Sequence, residues 1–574
     1  MCSSDLSGDL YVPLFTSSQT AAFGAGTPGD GTDARFPTGT AYSYDRYLGV
    51  GTGDVGSALD ALIEARGDAY GEVHGHVLEE GTGVSLSGVS VLVYQPGADA
   101  PWSQWLTDVG DDTQPDGSFG GKLPPGDYEL LVHARGRPDG ERVAITVGEG
   151  DDLSIPLSSP RPGEVRVEVY DETGRLVPSK ITFTGPDPFD SVEGDPFVGG
   201  SPSEVVFAPH GEADVTLPPG TYTAIASRGL EYELGVSDPF EVTDTGVARL
   251  RLQVVHSVDT TGWVSADFHV HAINSFDSGT SLEDRVTTMV SEGVEFFTST
   301  DHDFLTDYAP TVQDMELEPW VKTAVGLETT TLEVGHFLGF PYQADTLKDH
   351  GGAFDWTGMT AQEILDTLDG LGTSAGYEPI NFVAHPRDGI LGYFDQFGYN
   401  PYTGELETPI LANWNDLLAE DEFTFDFDAL EILNGKRVEL IRTPTQDELD
   451  RYAADETSVD GYDVISRTGE EQEALLAGTY RLGYGHEGQV DDWFSLLNLG
   501  YRYTALGNSD THGKFSVEAG CPRNYVLADT DDPAYIDEQA IADAVRAGHV
   551  VASYGPDRKS TRLNSSHLVI SYAV

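Results

Sequence analysis

Cysteine is nearly absent from this chain. Cys2 and Cys521 are the only two in 574 residues, so neither a disulfide framework nor a CxxC zinc site can be built. Basic residues are scarce too: 31 Lys and Arg stand against 96 Asp and Glu, a formal net charge of -65. Lysine is reduced to Lys122, Lys180, Lys322, Lys348, Lys436, Lys514 and Lys559. A surface this acidic repels phosphates and anionic lipid, which sets aside nucleic acids and membrane surfaces as partners. No apolar run approaches the roughly 20 residues that cross a bilayer. The N-terminus has neither the basic start nor the apolar stretch of an export signal. What remains is a globular composition, 39% hydrophobic and 10% aromatic, long enough for several domains.

Both ends read as foreign. The opening 1–6 and the basic, acid-free closing segment 558–574 resemble peptides translated from sequencing adapters, as occur in metagenomic gene predictions. The expectation is a natural gene running past both ends, with any signal segment lost by truncation. Recloning from source DNA tests this; finding these codons contiguous in the genome would refute it.

Residues 7–70 read as a Gly/Ser/Asp-rich lead-in with one short helix over 55–66, where apolar residues recur at helical spacing. From 71 the pattern changes to short alternating strands. Leu123-Pro124-Pro125-Gly126-Asp127-Tyr128 and Leu217-Pro218-Pro219-Gly220-Thr221-Tyr222 mark the same turn with an aromatic plug. The recurrence predicts two tandem β-sandwich modules, 71–160 and 161–256. They resemble the carboxypeptidase-regulatory-like sandwich, a scaffold that carries no activity by itself.

From 257 to 557 candidate strands (264–271, 294–300, 321–328, 380–385, 428–433, 502–508) alternate with helical patterns near 281–292, 360–371 and 536–547. Such alternation predicts an α/β unit with a parallel sheet, open or closed. Residues two apart on a strand share a face, so His269 and His271 present two imidazoles side by side, as one metal ion requires. His74 and His76 have the same spacing but no companions, and read as a solvated strand face. The later strands supply companions at their C-terminal ends: Asp301, His302 and Asp303; Glu328, with His336 eight residues on; His385; then Asp510 and His512. That edge is where α/β folds build their sites.

The series HxH, TDH, E…H, HP and SDxH resembles the PHP (polymerase and histidinol phosphatase) superfamily, and most nearly its CehA/McbA metallohydrolases. Asp491-Asp492-Trp493-Phe494-Ser495-Leu496-Leu497-Asn498-Leu499-Gly500, Gly520-Cys521-Pro522-Arg523 and Ser553-Tyr554-Gly555-Pro556 are similar to that family as well. The resemblance implies two all-β sandwich modules followed by a distorted (β/α)7 barrel, truncated at its C-terminus. It further implies two to three divalent transition-metal ions. His269, His271, Glu328 and Asp510 would hold one; Asp277, His302 and His512 a second; Glu328, His336 and His385 a third, with Glu328 bridging. Several superfamily members have His where this chain has Asp277. Mixed imidazole and carboxylate ligands suit zinc, manganese or iron, and the residues do not choose among them.

Such ions lower the pKa of a bound water and polarise a scissile phosphoryl or carbonyl oxygen. Asp301 and Asp303 flank His302 and are expected to orient its ring. Because cations are scarce, Arg387, Lys436, Lys514 and Arg523, with Asn434, are the candidate contacts for an anionic small-molecule substrate. The leading expectation is a phosphoesterase acting on a small phosphoester. Two alternatives stand beside it: an amide, ester or carbamate hydrolase, and an extracellular glycan- or protein-binding protein whose metal-bound body is inert. The sandwich modules offer a surface for a glycan or cell-surface partner. Their company implies export to the periplasm or beyond, a lipoprotein included.

Overall fold

The structure, a computed structural model, describes residues 49–108, 115–185, 204–331, 333–400, 403–406, 422–436, 441, 488–515 and 519–555, and the backbone of a few short strands outside these. The adapter-like tail 558–574 and most of the lead-in lie outside the described residues. The helix read from sequence forms over Val55–Arg66. Asp54 caps its start by accepting from the Ser57 amide, and Gly67 ends it in the left-handed conformation at φ 68°, as a C-terminal glycine does at low steric cost.

Residues 71–159 form two four-stranded sheets that enclose one core of Val73, Val77, Val91, Trp105, Leu130 and Val132. Residues 163–253 form a three-stranded and a five-stranded sheet around Val165, Val167, Ile181, Phe183, Leu217 and Tyr222. The Pro-Pro-Gly turns behave alike. Tyr128 donates its hydroxyl to the Pro124 carbonyl at 3.0 Å and Tyr222 to the Pro218 carbonyl at 2.9 Å. Each ring is thereby plugged into its core with its polar end satisfied.

The rest is organised by one nine-stranded sheet. Its strands are β1 Trp263–Asp267, β2 Phe296–Ser299, β3 Lys322–Thr331, β4 Gly335–Tyr342, β5 Ile380–Val383, β6 Ala429–Asn434, β7 Thr504–Asn508, β8 Arg523–Leu527 and β9 Val550–Ser553. In space they run β7-β6-β5-β4-β3-β2-β1-β8-β9. The sheet nearly closes, because a Cβ on Gly507 of β7 would lie 3.2 Å from the Ala552 methyl of β9. Asn524 fills the seam: it donates to the Gly507 carbonyl at 2.8 Å and accepts from the Gly507 amide at 2.9 Å.

The expected distorted (β/α)7 barrel does not form. Among the described residues strands far outnumber helices, and the sheet is mixed. β1-β2, β2-β3, β5-β6 and β6-β7 are parallel, whereas β3-β4, β4-β5, β1-β8 and β8-β9 are antiparallel. Every antiparallel pairing involves β4, β8 or β9, the three strands missing from the candidate set. Reading only six strands made the alternation with helices look regular.

The second β module is fastened to the helix Leu282–Ser291, which carries the loop after β1. Arg228 is buried and donates to the carbonyls of Pro178 and Val290, both at 2.8 Å. Lys180 pairs with Glu292 at 2.5 Å, both nearly buried. Arg175 stacks on Trp320 at 3.8 Å. These contacts fix the module against the body that holds the candidate site.

Candidate metal centre

One edge of the nine-stranded sheet gathers the chemistry. β1, β2, β3, β5, β6 and β7 all end there, and the antiparallel β4 begins there. β1 stops at Asp267, short of the expected 271. His269 and His271 follow in an extended segment pinned by a bridge from Val270 to Thr511. Their ring centroids lie 5.0 Å apart. His302 follows β2, Glu328 is on β3, His336 opens β4, His385 follows β5, and Asp510 and His512 follow β7.

All nine predicted ligands converge. His269, His271 and Asp510 form one group that could hold a metal ion, His269, Glu328 and His385 a second, and His271, Asp277, His302 and His512 a third. Glu328 is central. Its Oε2 lies 3.3 Å from His269 Nε2, 3.3 Å from His271 Nε2 and 3.0 Å from His302 Nδ1, and its Oε1 lies 2.9 Å from His336 Nδ1 and 3.3 Å from His385 Nε2. Glu328, His269 and His271 are fully buried, and Asp277 is the most open at 26% side-chain exposure, with His512 at 12%. The mouth therefore lies on the Asp277–His512 side.

The donor set fits a metal. His271 Nε2, His336 Nε2, His385 Nδ1, His512 Nε2 and Asp277 Oδ1 are buried with no hydrogen-bond partner among the described residues. Such orphans are costly unless something else satisfies them. The spacings are those of shared ligands rather than of hydrogen bonds: His269 Nε2 to Asp510 Oδ1 3.5 Å, His271 Nε2 to Asp510 Oδ1 3.3 Å, and His302 Nε2 to Asp277 Oδ1 3.3 Å. Two donors each ~2.1 Å from one ion lie roughly 3.0–3.4 Å apart at right-angle to tetrahedral geometry.

The outer nitrogens are held in turn, which fixes ring orientation. His269 Nδ1 meets Glu431 at 3.0 Å, His271 Nδ1 meets Ser275 Oγ at 2.8 Å, His302 Nδ1 meets Thr330 Oγ1 at 2.5 Å, and His512 Nδ1 meets the Asp510 carbonyl at 2.8 Å. Asp301 and Asp303 do not hydrogen-bond the His302 ring. Asp301 accepts from Ser275 Oγ at 3.1 Å and so steadies His271. Asp303 accepts from the Thr330 amide at 3.0 Å and from Trp356 at 2.8 Å, one residue removed from His302. Asp303 and Asp510 both hold φ of 52°, left-handed strain of the kind that collects at functional sites.

Sequence reasoning passed over Glu431 as a ligand support. Fully buried, it accepts from the Asn508 side chain (2.9 Å), the Asn434 side chain (2.9 Å) and the His385 amide (2.8 Å). Its signal was a carboxylate inside the largely apolar strand Ala429–Asn434. Of the candidate substrate contacts, Asn434 donates to Asp510 Oδ2 at 3.1 Å. Lys436 is exposed and helps hold the Asp510 carboxyl low. The rest of the cationic rim is spent elsewhere. Arg387 is buried on Asp492 and Asp395. Arg523 is buried on the carbonyls of Gly520 and Glu292. Lys514 pairs with Asp284 at 2.8 Å. His74 and His76 are exposed beside Asp152 and Asp116.

Charge in the centre is tightly coupled. Burial alone would depress His302, but Glu328 and Asp277 outweigh it and raise it to about 10. Burial opposes His269 and His385 likewise, yet neighbouring carboxylates raise both. Burial and the His512 and His302 charges push His271 down. Burial would raise Glu328 and Asp510, but the imidazoles hold both well below the carboxylate range. Metal-free protein at pH 7 thus carries a proton on His302 that an ion must displace. Metal binding is expected to release at least about one proton per chain and to tighten as pH rises toward 10. Calorimetry in two buffers of different ionisation enthalpy checks this; identical heats would contradict it.

Comparison with known proteins adds little. No known family profile matches the chain, and no curated protein matches it. Similar solved structures include the Bacillus anthracis TIE protein, at 18% identity and a TM-score of 0.15, covering 32% of this chain and 34% of that one. The chain thus spans about a third of that protein's length. The shaft pilin SpaA from Lactobacillus rhamnosus GG matches at 11% identity and a TM-score of 0.20, covering 33% of this chain and 98% of that one. A streptococcal ancillary pilin matches at 13% and 0.20, covering 42% and 74%. Likenesses this slight carry no weight for the site. Among the described residues no helix is long and apolar enough to cross a membrane.

Proposed function

We propose that the chain is a metal-dependent hydrolase. The observation that carries this reading is the convergence of nine His, Asp and Glu side chains, eight of them in groups that could hold an ion, with buried donor atoms on His271, Asp277, His336, His385 and His512 that lack hydrogen-bond partners among the described residues. His269, His271, Glu328 and Asp510 would hold one divalent ion and Asp277, His302 and His512 another, with His336 and His385 on the far oxygen of Glu328 available to a third. Ions there supply Lewis acidity and a water acidified to near neutral pKa. The chain's own residues do the rest. Glu431, Ser275 and Thr330 fix the imidazoles, and Asn434 steadies Asp510. Glu328, His269 and His271 are fully buried, and Asp277 and His512 are the ligands most open to solvent.

The mouth favours an ester, amide or carbamate over a phosphomonoester. Phe276 stacks on His302 at 4.7 Å and is 47% exposed, and Ile273, in the same loop after β1, is 46% exposed. Apolar area held open next to the ligands suits a substrate with an apolar group near its scissile bond. A dianion would find only Lys436 unspent among the candidate cations. Chelation is expected to abolish turnover of aryl esters and re-added zinc or manganese to restore it, with aryl phosphates cleaved more slowly. Metal-loaded protein inert on both panels would leave a binding protein as the better reading. Export beyond the cytoplasm is the accompanying proposal, from the tandem β modules, the acidic composition and the near absence of cysteine.

A further inference from the structure

Resting on the metal reading above, we propose that the second β module positions a metal ligand. Phe207, on its strand Glu204–Ala208, holds Phe515 and through it the loop carrying His512. The module then sets the affinity of the Asp277–His302–His512 group.

The loop 510–515 is tied from both sides, and the ties differ in origin. Those reaching His512 and its neighbours come from the metal-binding body. Ser278 and Thr280 donate to the His512 carbonyl at 2.7 and 2.8 Å. Arg285 donates to the carbonyls of Thr511 at 3.2 Å and Gly513 at 3.3 Å. The tie at Phe515 comes from the β modules. Its ring meets Phe207 at 5.6 Å and an interplanar angle of 32°. Arg135, from the first module, lies over the same ring at 5.4 Å, and Glu204 holds that guanidinium at 3.0 Å. A cleft of about 270 Å³ opens beside this contact, lined by Arg135, Glu204, Phe207, Thr216, Lys514 and Phe515 among others. On that side the Phe207 ring is thus a principal support of Phe515.

The consequence falls on His512. Its Nε2 stands 3.1 Å from Asp277 Oδ2, and its ring stacks on His271 at 4.0 Å. Coordination lengths near 2.1 Å tolerate errors of only about 0.2 Å, so a loop loosened three residues away weakens this group first. The group centred on Asp510 and Glu328 is deeper, and Asn434 and Glu431 hold it independently. Phe207 is therefore a positioning residue with a selective effect.

The test is zinc titration of the full chain by calorimetry, with bound metal counted after dialysis. Phe207→Ala should weaken the last-bound zinc about ten- to hundredfold, the usual range for outer-shell support, while the tighter zinc is retained. Phe207→Tyr should restore wild-type binding, and Phe207→Leu serves if the alanine variant does not fold. Lys180→Gln is the control: it breaks a module contact away from the loop, so it should lower the melting temperature and leave zinc binding unchanged. A wild-type isotherm in Phe207→Ala, or equal weakening in Lys180→Gln, would overturn the inference while the metal reading stands. No zinc uptake by the wild-type chain would overturn both.

Discussion

Glu328→Gln is expected to reduce bound metal to below about one ion per chain and turnover with it. No other side chain in the centre faces five imidazoles, and its two oxygens divide them, three on Oε2 and two on Oε1. An amide keeps the volume but offers one acceptor and no charge. Metal-free protein loses stability as well, by about 3 kcal/mol, because breaking a buried ionic cluster leaves its partners uncompensated. The sign with pH follows from the shifts. His302 is raised from 6.5 to about 10, so its share is full below pH 6.5 and is lost as pH rises toward 10. Glu328 is lowered from 4.5, so its share is present above pH 4.5 and is lost as pH falls below. The variant should therefore lag the wild type most between pH 4.5 and 6.5. Denaturant melts of metal-free protein at several pH values measure this. An equal gap at pH 5 and pH 10 would contradict the coupling.

Arg387→Met is expected to cost about 3–5 kcal/mol, the range for removing one partner of a buried ion pair, without raising KM. The guanidinium is 6% exposed, donates to Asp492 Oδ2 at 2.7 Å and to the Tyr399 carbonyl at 2.8 Å, and approaches Asp395 at 3.2 Å. Its loss removes this cation from Asp492, whose side chain is fully buried. Thermal melts beside steady-state kinetics separate the two roles. A severalfold rise in KM with an intact melting temperature would return Arg387 to the substrate and defeat the structural assignment.

Legibility in the sequence differed between site and scaffold. The candidate ligands could be picked out because metal ligation would need a particular side-chain chemistry at a strand end, and chemistry is local. His269 and His271 declared themselves by spacing, Glu328 and His385 by closing apolar runs. Asp277 came only through the family resemblance, since a lone aspartate in a loop has no local signal. The sheet was harder. β4 and β8 are joined to their neighbours by backbone hydrogen bonds at ranges that periodicity does not encode, and β4 is buried along its whole length, so it shows no alternation. Leaving it out of the candidate strands turned a mixed sheet into a regular one. The cationic rim failed for another reason. A guanidinium beside a motif in sequence can satisfy a buried carboxylate as readily as a substrate, and Asp492 lies 105 residues from Arg387.

The central claim is that this edge of the sheet holds metal. Elemental analysis of the purified full chain by plasma mass spectrometry, beside Asp510→Ala, tests it most directly. The account predicts about two to three transition-metal ions per chain, falling in the variant. A folded wild-type chain with substoichiometric metal, unchanged by the substitution, would contradict it.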